Sequence, residues 1–340
     1  NGSNTITWTA PNANGSAIQG YQLFMNGVNQ GLRGATPLNW THADASLYAM
    51  YGTPVTYTIK TWNAIGASPL SSASNSVTPS TAPSAPAPPN YTTNNGVIDI
   101  TWTEPNANGS AITGYQLWRN GVSHLTLGNA VSYTDSNVVL GNSYYYQLQA
   151  INAIGSSSLS GVNSGTGAIT PSTIPATPSA PTVTTANGIS TVTWTAPNAN
   201  GSAIDSYGVY RSGTYLGSLN ALTLSDSGGT LGTSYTYTVN AHNANGWTPQ
   251  SSASNSVTPS TAPATPSAPV ATTETVNGTN TITWTAPNAN GSAITDYRLY
   301  ANGSIVSTLN ANTFTHSPTL GVATTYQVSA TNANGYSSLS

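Results

Sequence analysis

Trp194-Thr-Ala-Pro-Asn-Ala-Asn-Gly-Ser-Ala-Ile204 is one of four near copies of a single stretch. The others begin at Trp8, Trp102 (with Glu104 in place of Ala) and Trp284. The copies start 94, 92 and 90 residues apart. Solenoid units run about 20–50 residues, so this longer period predicts one whole small domain per repeat. The third repeat shows what each domain should contain. Ile189-Ser-Thr-Val-Thr-Trp194 alternates apolar with small polar residues, the period of a half-buried strand. Asn200-Gly201 supplies a turn that can take positive φ. Ile204 and Tyr207–Tyr210 read as the next strand, and Tyr215–Leu219 and Leu222–Leu224 as shorter ones. Tyr235–Ala241 alternates strictly, and Ser254–Val257 reads as a last short strand. No segment carries an i, i+3, i+4, i+7 apolar stripe, so no helix is expected. Turns every 8–12 residues between short strands predict antiparallel β-sandwiches.

Working outward, Pro79–Pro89, Pro171–Pro181 and Pro259–Pro269 separate the repeats. Proline favours extended polyproline geometry, so these segments read as semi-rigid spacers. The expected domains are 1–80, 81–172, 173–262 and 263–340, arranged as an elongated rod. The first repeat aligns Asn1–Trp8 with Asn277–Trp284 and is expected to lack its first strand. The last stops at Ser340, which aligns with Ser71, and is expected to lack its final strand. Two readings follow: a window of a longer protein, or a chain whose end completes the next by strand addition.

The 340 residues carry 4% charged residues and a formal net charge of −3. Ordinary soluble domains carry roughly 25% charged residues. Surfaces so close to neutral favour association. Five Lys and Arg cannot form a phosphate-binding face, which argues against nucleic acid and anionic lipid as partners. There is no Cys, so no disulfide and no thiolate metal site. No apolar run approaches the ~18 residues of a membrane span.

These residues resemble the fibronectin type III family, its bacterial and phage-type members most of all. Trp284, Pro287, Gly291, Ile294 and Tyr297 carry the first half of the motif, and their counterparts recur in the other repeats. Leu231, Tyr237, Val239, Ala241, Asn243 and Gly246 carry the second, and Ser-Ala-Ser-Asn-Ser-Val-Thr-Pro at 72–79 and 252–259 is similar to bacterial members. The resemblance implies an all-β, immunoglobulin-like sandwich in every repeat. It implies no single function, because this module is reused as spacer, adhesin and binding domain. Tyr144 and Tyr235 stand where the family has a corner tyrosine, whereas Val55 and Thr324 hold that place in the first and fourth repeats.

Trp8, Trp102, Trp194 and Trp284 share one strand phase and are expected in the cores, with Tyr57, Tyr146, Tyr237 and Tyr326. Trp62 and Trp247 are not shared by all repeats and are candidate ligand contacts, since exposed aromatics can stack on sugar rings. Asn14, Asn108, Asn200 and Asn290 each head an Asn-Gly-Ser triplet. It reads first as a tight turn and second as a glycosylation acceptor. His42, His124, His242 and His316 fall at unrelated positions, and the eight acidic residues are scattered over non-equivalent sites. No catalytic constellation, cofactor or metal site is therefore expected. The expected function is a non-catalytic structural protein of an extracellular or cell-surface filament, associating head-to-tail or laterally, with glycans or a receptor as further partners. Two alternatives stand beside it: a virion fibre or decoration protein, and a spacer or carbohydrate-binding region of a secreted polysaccharide-degrading enzyme.

Overall fold

A computed structural model describes residues 2–163, 167–274 and 277–340. Asn1, which heads the alignment of the first repeat, lies outside them. The chain divides into two compact units, Asn1–Ser172 and Thr173–Ser340, each holding two repeats.

In the third repeat, Thr182–Ala186, Ile189–Thr193 and Thr223–Asp226 form one antiparallel sheet with Ile189–Thr193 central. Thr214–Leu219, Ser206–Arg211, Tyr237–Asn243 and Gly246–Trp247 form the second, in that order. Strand alternation sends one side chain in two inward. Val183, Val192 and Trp194 from one sheet therefore meet Tyr207, Val209, Tyr237, Val239 and Ala241 from the other in a single core. The second and fourth repeats repeat the arrangement around Trp102 and Trp284. The fold is thus built almost wholly of β-strands, in tandem antiparallel β-sandwiches. The first repeat differs in its first sheet, which holds Asn4–Thr7 and Asn39–His42 alone, where the others have three strands.

Each repeated Trp sits one residue beyond its strand. Its amide still donates across the sheet, as Trp194 N does to Leu222 O at 3.1 Å. The indole meets the Tyr of the facing sheet at a tilted or edge-on angle, with centroids 5.2–5.7 Å apart. Trp102, Trp194 and Trp284 are buried, whereas Trp8 is half-buried.

Three expectations need correction. A one-turn helix, Ala45–Tyr48, occurs in the first repeat. Asp44 caps it by accepting from Ser46 N, and Leu47 is buried. One turn is too short to display a helical stripe. The expected last strand Ser254–Val257 shortens to a single bridge between Tyr235 and Val257. In its place runs a ladder of period three. Thr248 N, Ser251 N and Ser254 N donate to the carbonyls of Ala241, Val239 and Tyr237 at 2.8 Å. Their hydroxyls accept from the amides of the same three residues at 2.9–3.0 Å. A three-residue repeat is polyproline geometry, which has no internal hydrogen bonds and leaves its polar groups free for the neighbouring strand. Ser68, Ser71 and Ser74 repeat the ladder in the first repeat, Ser157 and Ser160 in the second, and Ser337 and Ser340 in the fourth.

The proline segments are the third correction. They do not stand clear as spacers but pack onto the repeat that follows. Pro83, Pro86 and Pro89 are buried, as are Pro175, Pro178 and Pro181. One buried residue in three is the face of a polyproline helix laid on a surface.

Candidate functional site

The repeated Asn-Gly-Ser turn is the feature that binds something in every described instance but the first. In the second repeat Asn108 takes φ 50° and Gly109 φ 85°. Asn tolerates this left-handed region because its short side chain bonds locally. The turn carries its amide and carboxamide toward the proline segment. Asn108 O accepts from Thr81 N at 3.0 Å, and Asn108 Nδ2 donates to Ala82 O at 2.9 Å. Two residues earlier, Asn106 O accepts from Ser84 N at 2.9 Å. Asn152, on the last long strand, closes the grip: its Nδ2 donates to Thr81 O, Ala107 O and Ser110 O. Asn200 with Asn243, and Asn290 with Asn332, hold Thr173 and Thr261 by the same bonds.

Inside each unit the same turn meets the preceding repeat. A Cβ on Gly109 would lie 2.5 Å from Pro79 O and 2.6 Å from Gly52 N. Gly291 stands likewise against Gly232 and Pro259 O. Backbone therefore touches backbone, and only glycine fits. The Asn-Gly-Ser turn is consequently more than a chain reversal: it fastens linker and neighbour together. The Nδ2 atoms of Asn108, Asn200 and Asn290, where a glycan would attach, are engaged with the linker carbonyls. Asn14 is exposed, and its side-chain amide makes no such bond.

Trp62 lies half-buried over Gly20 and lines a cleft of about 830 Å³ together with Trp8, Pro11, Ile18 and Ile65. Trp247 is 42% exposed on a hairpin tip and packs on His242 across the strand pair, centroids 4.7 Å apart. The two tryptophans occupy different repeats.

Four of the acidic and histidine residues are not scattered as expected. His42, Asp135, Asp226 and His316 each end the same strand of their repeat, and each side chain bonds the core tyrosine. In the third repeat, Tyr237 Oη donates to Asp226 Oδ2 at 2.8 Å and Arg211 Nη1 lies 2.8 Å from the same oxygen. Burial pushes the Asp226 carboxyl up. Bonds from Gly228 N, Tyr237 and Arg211 outweigh it and hold the carboxyl below the usual carboxylate range. Burial, reinforced by the bond to Asp135, pushes the Tyr146 hydroxyl far above its ordinary value. Sequence comparison missed this set because two residue types alternate at one position. Among the described residues, no three of His, Asp and Glu converge to hold a metal ion.

The corner tyrosines are in place. Val139 N donates to Tyr144 Oη at 2.9 Å, and Thr230 N to Tyr235 Oη at 3.1 Å.

No family model matches the chain. It is 30% identical over 271 residues to Exoglucanase B of Cellulomonas fimi, a match that covers 76% of this chain and 24% of that protein. The chain thus spans about a quarter of the length of this relative. Among solved structures, the chicken CNTN1 FN1–FN3 domains align at 18% identity with a TM-score of 0.31, covering 76% of this chain and 96% of that one.

Proposed function

We propose that this chain is a non-catalytic spacer and accessory array of an extracellular polypeptide, of the kind carried by secreted glucan-degrading enzymes. The observation that carries the reading is the turn–linker fastening. Each described linker is bonded into the repeat that follows it, and within each unit that repeat also abuts the one before. Such a junction resists bending at a point where a Gly/Ser linker would swing freely. An array built this way gives reach without demanding charge, catalysis or a cofactor. The similarity to part of Exoglucanase B supports the enzyme context. Replacing the matched 271-residue stretch of that protein with this chain tests it. Activity on insoluble glucan should persist in the chimera. A loss as large as that caused by deleting the stretch overturns the reading.

One observation favours the filament reading as a second. Val28, Val122, Tyr215 and Ile305 are 52–68% exposed on the edge strand of their sheets. Exposed apolar edge strands are pairing surfaces. Concentration-dependent sedimentation separates the two readings: a monomer at ~100 µM speaks for the spacer, growing polymers for the filament.

A further inference from the structure

On the outer face of its second sheet the third repeat carries two exposed aromatics, Tyr215 at 52% and Trp247 at 42%. Register places Asn29 and Ala67 at these two positions in the first repeat, Ser123 and Ser156 in the second, and Ile305 and Tyr336 in the fourth. The Tyr215 ring reaches over Gly208, where an added Cβ would lie 3.4 Å from Tyr215 Cε2. Glycine leaves the sheet bare at that point, and the ring covers it. Trp247 leans one face on His242. His242 Nδ1 lies 2.7 Å from Asp205 Oδ1, and a carboxylate only accepts, so Nδ1 carries a proton. Nε2 of the same ring has no hydrogen-bond partner among the described residues, and the His242 side chain is 31% exposed. The other repeats use this face up internally. In the second, Gln116 stands at the glycine position and bonds Ser123 and Thr126, while Trp118 bonds Gln149. In the fourth, Arg298 stands there, and its guanidinium lies 3.7 Å from the Tyr336 ring centre, occupying one face of it.

We propose that this face of the third repeat binds a neutral, extended glucan chain. Tyr215 and Trp247 stack on sugar rings, while His242 Nε2, the Asp205 carboxylate and the Gln250 amide bond their hydroxyls. Sugar rings in such a chain have apolar faces and polar rims, so a site for them needs aromatic surface and a few placed polar groups. The Tyr215 ring lies over the strand Ser206–Arg211, and Trp247 stands two strands away. That is about 10 Å at ordinary strand spacing, a span that an extended disaccharide unit covers. Gln250 is exposed and accepts from Thr238 Oγ1 at 2.6 Å through Oε1, which leaves its amide nitrogen to donate to a ligand. Charge agrees: Asp205 is the one acidic residue among these groups, none is Lys or Arg, and hydroxyls donate to a carboxylate. The choice of a glucan rests on the enzyme context proposed above; the stacking face does not.

The test uses the full 340-residue chain and cellohexaose, followed by titration calorimetry. Saturable binding of one sugar chain per protein chain is expected. Trp247→Ser and Tyr215→Ser install the residues that the second repeat holds at the same places, so both variants should melt as the parent does. Each should weaken binding about fivefold, the worth of one aromatic contact. Tyr336→Ser, whose ring already carries Arg298, should bind as the parent does. Maltohexaose, whose linkage coils the chain, should bind more weakly than cellohexaose. Absence of saturation at millimolar cellohexaose overturns the proposal. So does parental affinity in Trp247→Ser or Tyr215→Ser, weakened binding in Tyr336→Ser, or equal affinity for the two sugars. Tyr215 also lies on an edge strand. Dimers in sedimentation that Tyr215→Ser dissolves would assign the face to a second copy and overturn the proposal as well. The chimera reads activity and this titration reads binding, so a spacer that binds no sugar fails here alone.

Discussion

The second and third repeats and the first and fourth solve one problem in two ways. Each must hold a tyrosine hydroxyl deep in a sandwich. In the second and third the acceptor is a carboxylate, Asp135 or Asp226, countered by Arg119 or Arg211 from the facing sheet. In the first and fourth the partner is an imidazole, His42 or His316, joined by Asn4 or Asn280. Met25 and Ala301 then stand where the arginines would be, paired with Tyr57 and Tyr326. The members change together because a buried carboxylate without its arginine is costly, and so is an arginine without its carboxylate. A His–Asn pair has no arginine beside it, since Met25 and Ala301 stand at that position. The sandwich demands that the hydroxyl be satisfied, not which chemistry satisfies it.

Breaking one member should give the largest effect. Arg211→Ala leaves Asp226 buried and should cost about 3–5 kcal/mol in the third repeat, read by denaturation of the second unit. Trp194→Ala should cost a similar 3–5 kcal/mol through the cavity it leaves. Transplanting the fourth repeat's set into the third (Ser190→Asn, Arg211→Ala and Asp226→His) should restore most of the Arg211→Ala loss. If the triple variant is no more stable than the single one, the two solutions are not interchangeable.

Acid sharpens the same comparison. The folded Asp226 carboxyl lies below its unfolded value, so its contribution is present above about pH 4 and disappears as pH falls through the folded value. The third repeat should therefore lose stability in that acid range, while Asp226→Asn, though weaker overall, loses this part of the slope. Hydrogen exchange resolved by repeat measures both.

Smaller still is the contrast between turns. Gly291→Ala drives a methyl into Gly232 and Pro259 O, and should loosen the junction of the third and fourth repeats by about 2–4 kcal/mol. Gly15→Ala meets nothing within 4 Å and pays only for its φ of 85°, about 1 kcal/mol. Equal losses in the two variants would show that backbone strain, rather than the contact between repeats, explains the glycine.

The repeat, the strands and the tryptophan cores were legible because strand alternation is a local signal. Val192, Trp194, Val239 and Ala241 announce their faces by position alone. Other features escaped for identifiable reasons. The Ser251–Ser254 spacing of three falls between the strand and helix periods. The helix at Ala45–Tyr48 is a single turn. The shared place of His42 and Asp135 is hidden by their different chemistry, and only register aligns them.

What the sequence alone determined is the number of repeats, their all-β character and their apolar cores, since these follow from residue type and spacing along the chain. What only the tertiary structure decided is where Asn-Gly-Ser points, which repeat a proline segment joins and what each tyrosine hydroxyl meets. Those are contacts between residues 10 to 70 or more positions apart, such as Tyr237 with Asp226, Asn152 with Thr81 and Asn243 with Thr173. Hydrogen bonds depend on distance and angle in space, and no local pattern encodes them until the sheets have closed.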